Sequence, residues 1–303
     1  MAEIKEILHK IKIGDTKAIA KTLSIVENNL PQSHDILIRL DTNIDTKVVG
    51  ITGPPGAGKS TIINALLSLL VKNNCHVAVL SIDPSSPFNF GALLGDRIRM
   101  SEFYLHKNVF IRSVASRGSL GGLSAHIIEM IDVLRASVFD YILVETVGVG
   151  QSEVEIAGIA DTTIVALVPE AGDEIQTMKA GVMEIADIFV VNKGDRNNAD
   201  EFVKNLKILS HSKSTVWEIP VVKTIAPENI GIDLLLKAIN MHSVFIEKNL
   251  NKKLEMYTMK AFQLIQNDRM KDIDKHKLQQ NIKEMLLTKQ FNLYQFVAQF
   301  NEK

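Results

Sequence analysis

The sequence predicts an α/β fold: a mostly parallel central sheet covered by helices on both faces, with helical extensions at the N- and C-terminal ends. Short apolar, β-branched runs recur at residues 48–52, 77–82, 109–114, 141–145, 163–168, 188–191 and 221–224. Amphipathic stretches of helix length, such as 60–71, 124–136 and 199–209, alternate with them. Strands buried on both faces read as unbroken apolar runs, and parallel neighbours need a long crossover, which is usually a helix.

Taken in order, residues 1–47 read as a helical N-terminal arm. Ile19, Leu23, Val26 and Leu30 recur at helical spacing until Pro31 interrupts them. Residues 48–240 carry the alternating strands and helices. Beyond 240 the strand pattern stops, and 241–303 reads as a C-terminal helical arm. There Leu250, Leu254, Tyr257, Ala261 and Leu264 step by four and three, a seam for packing one helix on another. Periodicity alone leaves open whether that seam folds back on its own domain or pairs with a second copy.

Composition excludes several function classes. The 303 residues hold 34 Lys and Arg against 35 Asp and Glu, a formal net charge of −1, so no bulk field gathers nucleic acid. The one cysteine, Cys75, cannot form a disulfide within the chain or a thiolate metal site. Acidic residues interrupt the first fifteen positions and no apolar run approaches membrane-spanning length. The expected setting is cytoplasmic, with neither nucleic acid nor membrane as a partner.

Gly53, Pro54, Pro55, Gly56, Ala57, Gly58, Lys59 and Ser60, followed by Thr61, match the phosphate-binding pattern G-x-x-x-x-G-K-[ST] between a strand and a helix. Glycines there let backbone N–H groups converge on phosphate oxygens, and the helix N-terminus adds its dipole. Lys59 is expected at the β- and γ-phosphates, and Ser60 on Mg²⁺.

Asn192, Lys193 and Asp195 form N-K-x-D at the end of the run 188–191, about 130 residues beyond the phosphate loop. The Asp195 carboxylate can accept from both N1–H and the exocyclic amine of guanine, a pair adenine lacks. Leaving a buried acceptor unpaired against the wrong base is costly, so GTP is predicted over ATP. Thr224, Ile225 and Ala226 follow the last strand and are expected to offer backbone N–H groups to the base. Asp83, Asp96 and Glu145 sit at strand ends or in a loop and are candidates for the magnesium shell, while Gly148 is placed to sense a γ-phosphate. No glutamine stands in an evident water-orienting position, so slow intrinsic turnover is expected, with Arg97, Arg99 and Lys179 as candidate sources of positive charge.

The phosphate loop, Asp83-Pro84-Ser85-Ser86-Pro87, Leu94-Gly95-Asp96-Arg97-Ile98-Arg99-Met100 and the stretch from Val144 to Glu153 resemble the methylmalonyl-CoA mutase-associated GTPases, the MeaB type, also called ArgK. The resemblance covers residues 10–240 and extends to Gly172-Asp173-Glu174-Ile175-Gln176 with Lys179, similar to that family's additional switch segment. It implies a GTPase chaperone of an adenosylcobalamin-dependent acyl-CoA mutase, which gates cofactor delivery and protects the mutase. It also implies GTP, GDP and Mg²⁺ as the ligands of this chain, cobalamin only through the partner, and a homodimer built with the C-terminal helices. Asp83, Asp96 and Glu145 fall on the family's metal and switch positions, Lys179 on its extra switch. The sequence departs at Ile225, where the family usually has serine. A nickel- or cobalt-delivering GTPase shares this chemistry but needs thiolates or clustered imidazoles, and a transport-associated protein kinase fits poorly with a guanine-reading loop.

Overall fold

β1 (Lys47–Thr52) is the middle of the sheet, and each position after Lys47 is buried. This computed structural model describes residues 2–42, 45–83, 100–115, 126–146, 152–171, 184–211, 216–270, 273–287 and 291–300. Within them β2 (Val77–Asp83), β3 (Val109–Ala115), β4 (Tyr141–Glu145), β5 (Thr162–Leu167), β6 (Ile188–Val191) and β7 (Val221–Lys223) join β1 in one parallel sheet, ordered β3-β2-β4-β1-β5-β6-β7. The mostly parallel α/β fold expected from the alternating pattern is therefore present.

The two-residue strand period divides the core. Val49 and Ile51 of β1, Val79 of β2, Leu143 of β4 and Val190 of β6 face one side, where α4 (Lys59–Lys72) contributes Ile62, Ile63 and Leu66. Leu235 and Ile239 of α8 (Ile232–Lys248) complete that layer. On the other face Val165, Leu167, Phe189 and Val191 pack on Phe202 and Leu206 of α7 (Ala199–His211). α5 (Ile127–Arg135) and α6 (Ser152–Ile159) pack against β4 and β1.

The N-terminal arm is α1 (Ala2–Lys12), α2 (Thr16–Glu27) and α3 (Gln32–Leu37). Asp15 caps α2 through the Ala18 N–H, and Ile19, Leu23 and Val26 are buried as their spacing predicts. Leu30 is exposed, because the helix ends at Glu27 and the stripe ends with it. Arg112 on the edge strand β3 donates to Ala20 O, Ser24 Oγ and Glu27 Oε2, fastening α2 to the sheet.

At the amino edge, three aspartates stand one residue before a strand and accept an N–H from the neighbouring strand or its approach. Asp140 takes the His76 N–H at 2.7 Å, Asp161 the Val48 N–H at 3.0 Å and Asp187 the Thr163 N–H at 2.8 Å. Asp161 is further gripped by Arg135 Nη2 at 2.6 and 2.5 Å. Asp187 Oδ1 lies 3.3 Å from Nε2 of the buried His242, and its carbonyl accepts from the Trp217 indole.

The chain divides into two compact units, Met1–Tyr257 and Thr258–Lys303. α9 (Leu250–Met270) buries no residue, and Leu250, Leu254 and Tyr257 are exposed along it. In the second unit, α10 (Lys275–Leu287) precedes α11 (Leu293–Ala298), where Phe296 is buried between Phe291 and Phe300. No helix among the described residues is long and apolar enough to cross a membrane.

Candidate nucleotide site

The carboxyl ends of β1, β4, β6 and β7 converge at the point where the strand order reverses around β1, the place where open α/β sheets bind ligands. β1 delivers the chain into the loop 53–58. Gly53 turns it with φ +137°, and a Cβ there would come within 2.1 Å of Ala166 O. Gly58, at φ +85°, starts α4 in the left-handed region. A side chain there would collide with Asn192 Nδ2 at 2.3 Å. Both glycines are thus demanded by backbone conformation and by close approach. Pro55 and Gly56 form the exposed crown, whereas Lys59 and Ser60 are buried on the first turn of α4.

The Lys59 ammonium donates to Gly53 O at 2.7 Å and Pro54 O at 3.2 Å, which places a positive charge inside the curl of the loop. Ser60 Oγ donates to Glu145 Oε1 at 2.6 Å, and both residues are only 6% exposed. Two positions 85 residues apart are joined because β4 lies beside β1 and ends level with the start of α4. A hydroxyl and a carboxylate are hard oxygen donors, suited to a magnesium ion whose remaining ligands are water and phosphate oxygens. Among the described residues no group of three or more His, Cys, Asp or Glu is placed to hold a metal. One residue on, Thr146 donates its N–H to Ile51 O at 3.1 Å and pairs its hydroxyl with Thr52 Oγ at 3.0 Å. The exits of β1 and β4 are locked together at the height of the Ser60–Glu145 bond.

Asn192 ties the base-reading segment to the phosphate loop. Its Nδ2 donates to Ala57 O at 3.0 Å, while its Oδ1 accepts from Thr224 Oγ and from the Ala226 N–H, each at 3.2 Å. At 2% exposure it is a brace between three loops. Lys193 then adopts φ +56°, reversing the chain so that Asp195 is exposed beyond the sheet edge. The three N–H groups expected to meet a base are bonded within the protein: Thr224 to Val191 O, Ile225 to Ile230 O and Ala226 to Asn192. Nearby, Arg196 pairs with Glu170 and holds its carboxyl below the usual carboxylate range.

Of the residues predicted from sequence, Lys59, Ser60, Glu145, Asn192, Lys193, Asp195 and the segment 224–226 lie along this edge. Asp96, Gly148 and Lys179, with Arg97 and Arg99, lie outside the described residues, as does the Asp83 side chain; β2 carries the Asp83 backbone to the same edge. Thr52 and Thr146 were not singled out from sequence. Their only signal is a hydroxyl at the last position of a strand and just past the end of its neighbour.

The model of the family described as "Methylmalonyl Co-A mutase-associated GTPase MeaB" matches residues 19–279. The chain belongs to the MeaB family. It is therefore a GTPase. A provisionally assigned GTPase of Pyrococcus abyssi is 46% identical over 252 residues, which cover 81% of this chain and 78% of that one. The GTPase ArgK of Escherichia coli is 36% identical over 249 residues, covering 78% and 75%. The mouse mitochondrial methylmalonic aciduria type A homolog is 40% identical over 191 residues, 61% of this chain and 46% of its own length. Among solved structures, a LAO/AO transport system kinase superposes with a TM-score of 0.69 at 25% identity, covering 100% of this chain and 97% of that one.

Proposed function

We propose that this MeaB-family protein is a GTP-driven chaperone of an adenosylcobalamin-dependent acyl-CoA mutase, gating delivery of the cofactor and protecting the mutase from inactivation. The carrying observation is the Ser60–Glu145 bond, which couples the phosphate loop to the end of β4 just before the segment containing Gly148. A nucleotide seated on Lys59 and a magnesium ion on Ser60 and Glu145 would act on the point where the chain leaves β4. Magnesium would neutralise charge on the phosphates. Lys59 holds the β- and γ-phosphate oxygens, Asn192 keeps the base and phosphate loops in register, and Asp195 accepts from guanine. Asp83 and Asp96 are proposed to complete the shell through water, with Lys179 contributing charge during hydrolysis. Cobalamin reaches this chain only through its partner.

The mutase as partner is supported by the family description and by the name of the mouse relative. A homodimer is supported by α9, whose Leu250, Leu254 and Tyr257 form an exposed stripe. A cytoplasmic setting accords with the single cysteine. The deciding experiment is capture of a purified cobalamin-dependent acyl-CoA mutase by this protein with GDP, with a non-hydrolysable GTP analogue and with neither. Nucleotide-dependent binding is expected, and failure to bind in all three states would overturn the chaperone role. Turnover of GTP should be slow and that of ATP negligible; equal rates would overturn the assignment of Asp195.

A further inference from the structure

Ser81 interrupts the apolar run of β2 two residues before the strand's terminal Asp83. Val77 and Val79 of β2 face α4 in the core, and the two-residue period puts Ser81 on the same face. Its register partner on β4 is Glu145, whose own face is set by Leu143 and Tyr141 in that core. Ser81 is therefore the immediate neighbour of the carboxylate that binds Ser60. It is 2% exposed, and among the described residues its Oγ makes no hydrogen bond. An unpaired buried hydroxyl is a cost to the fold, and alanine would occupy the strand without it. Packing accordingly gives no reason for serine at this position, whereas a polar ligand shell beside Glu145 does.

We propose that Ser81 is a positioning residue of the cation site, its hydroxyl bonding to the hydration shell of a magnesium ion held by Ser60, Glu145 and the nucleotide phosphates. This rests on reading Ser60 and Glu145 as cation ligands. The test uses the full chain and reads Mg²⁺ dependence without turnover, as the Mg²⁺ concentration that half-suppresses release of a fluorescent GDP analogue. Ser81→Ala should raise that concentration roughly three- to tenfold, the worth of one such hydrogen bond. The same variant should melt in EDTA no lower than the parent, because it removes a polar group that has no partner among the described residues. Ser113→Ala, one strand farther from Glu145, should leave the Mg²⁺ dependence unchanged. An unmoved Mg²⁺ dependence in Ser81→Ala, or a lowered melting point in EDTA, would overturn the proposal. Glu145→Gln separates the two readings. If it shifts the Mg²⁺ dependence while Ser81→Ala does not, only Ser81 is misassigned; if neither shifts it, the cation assignment itself fails.

Discussion

The two edges of one parallel sheet solve the same problem in opposite ways. Strand ends leave backbone groups without ladder partners. At the amino edge, Asp140, Asp161 and Asp187 each close a neighbouring N–H, and Arg135 and His242 sit against two of those carboxylates. At the carboxyl edge the chain turns away through glycines, and side chains such as Asn192 and Thr146 hold loops together around an exposed crown. The first edge uses its polar groups to close strand ends; the second uses them to fix loops around the proposed nucleotide site. Substitutions at the amino edge should therefore change stability with nucleotide affinity intact, and those at the carboxyl edge the reverse.

The largest expected effect is on binding. Lys59→Ala should weaken GTP affinity by a factor on the order of a hundred or more by removing the charge that faces the phosphates. Its melting temperature without nucleotide should stay within a few degrees of the parent, and a collapse of the fold would break the contrast. Asp161→Ala is the matching change at the other edge. It leaves the guanidinium of Arg135, whose side chain is only 7% exposed, without its carboxylate and orphans the Val48 N–H. A loss of about 3 kcal/mol in denaturant titration is expected, with GTP affinity per folded molecule unchanged.

Asp195→Asn should lower GTP affinity roughly tenfold or more and favour xanthosine triphosphate, which offers an acceptor where guanine offers its amine. Competition binding with the two nucleotides measures this. The smallest effect concerns Tyr141, whose hydroxyl donates to Asn240 at 2.7 Å and whose pKa burial pushes above the ordinary tyrosine value near 10. The folded state thus favours the neutral phenol. Its contribution is present below pH 10 and is lost as pH rises through the folded value. Tyr141→Phe should cost about 1 kcal/mol at neutral pH. The gap from the parent should narrow above pH 10 in thermal melts at stepped pH.

Much of this molecule is legible before folding. The seven strand runs, the helix at 60–71 and the loop 53–60 follow from apolar continuity and glycine spacing, which are local properties. Leu30 shows the limit: it continues the spacing of α2, yet the helix stops at Glu27 and leaves it in solvent. Asp195 could be named from its motif. Asn192 could be named too, but its role as a brace could not, because Ala57 lies 135 residues away along the chain. Each aspartate of the amino edge is visible one residue before a strand, but the N–H it closes belongs to a neighbour chosen by sheet order.

What the sequence determined by itself is therefore the set of elements, the phosphate loop and the preference for guanine. These depend on residue type and on spacing within a few positions. Only the tertiary structure decided that Glu145 meets Ser60, that Thr146 meets Thr52 and that Ser81 stands beside Glu145. Those pairings are consequences of β4 inserting between β2 and β1, a long-range arrangement that no local pattern encodes.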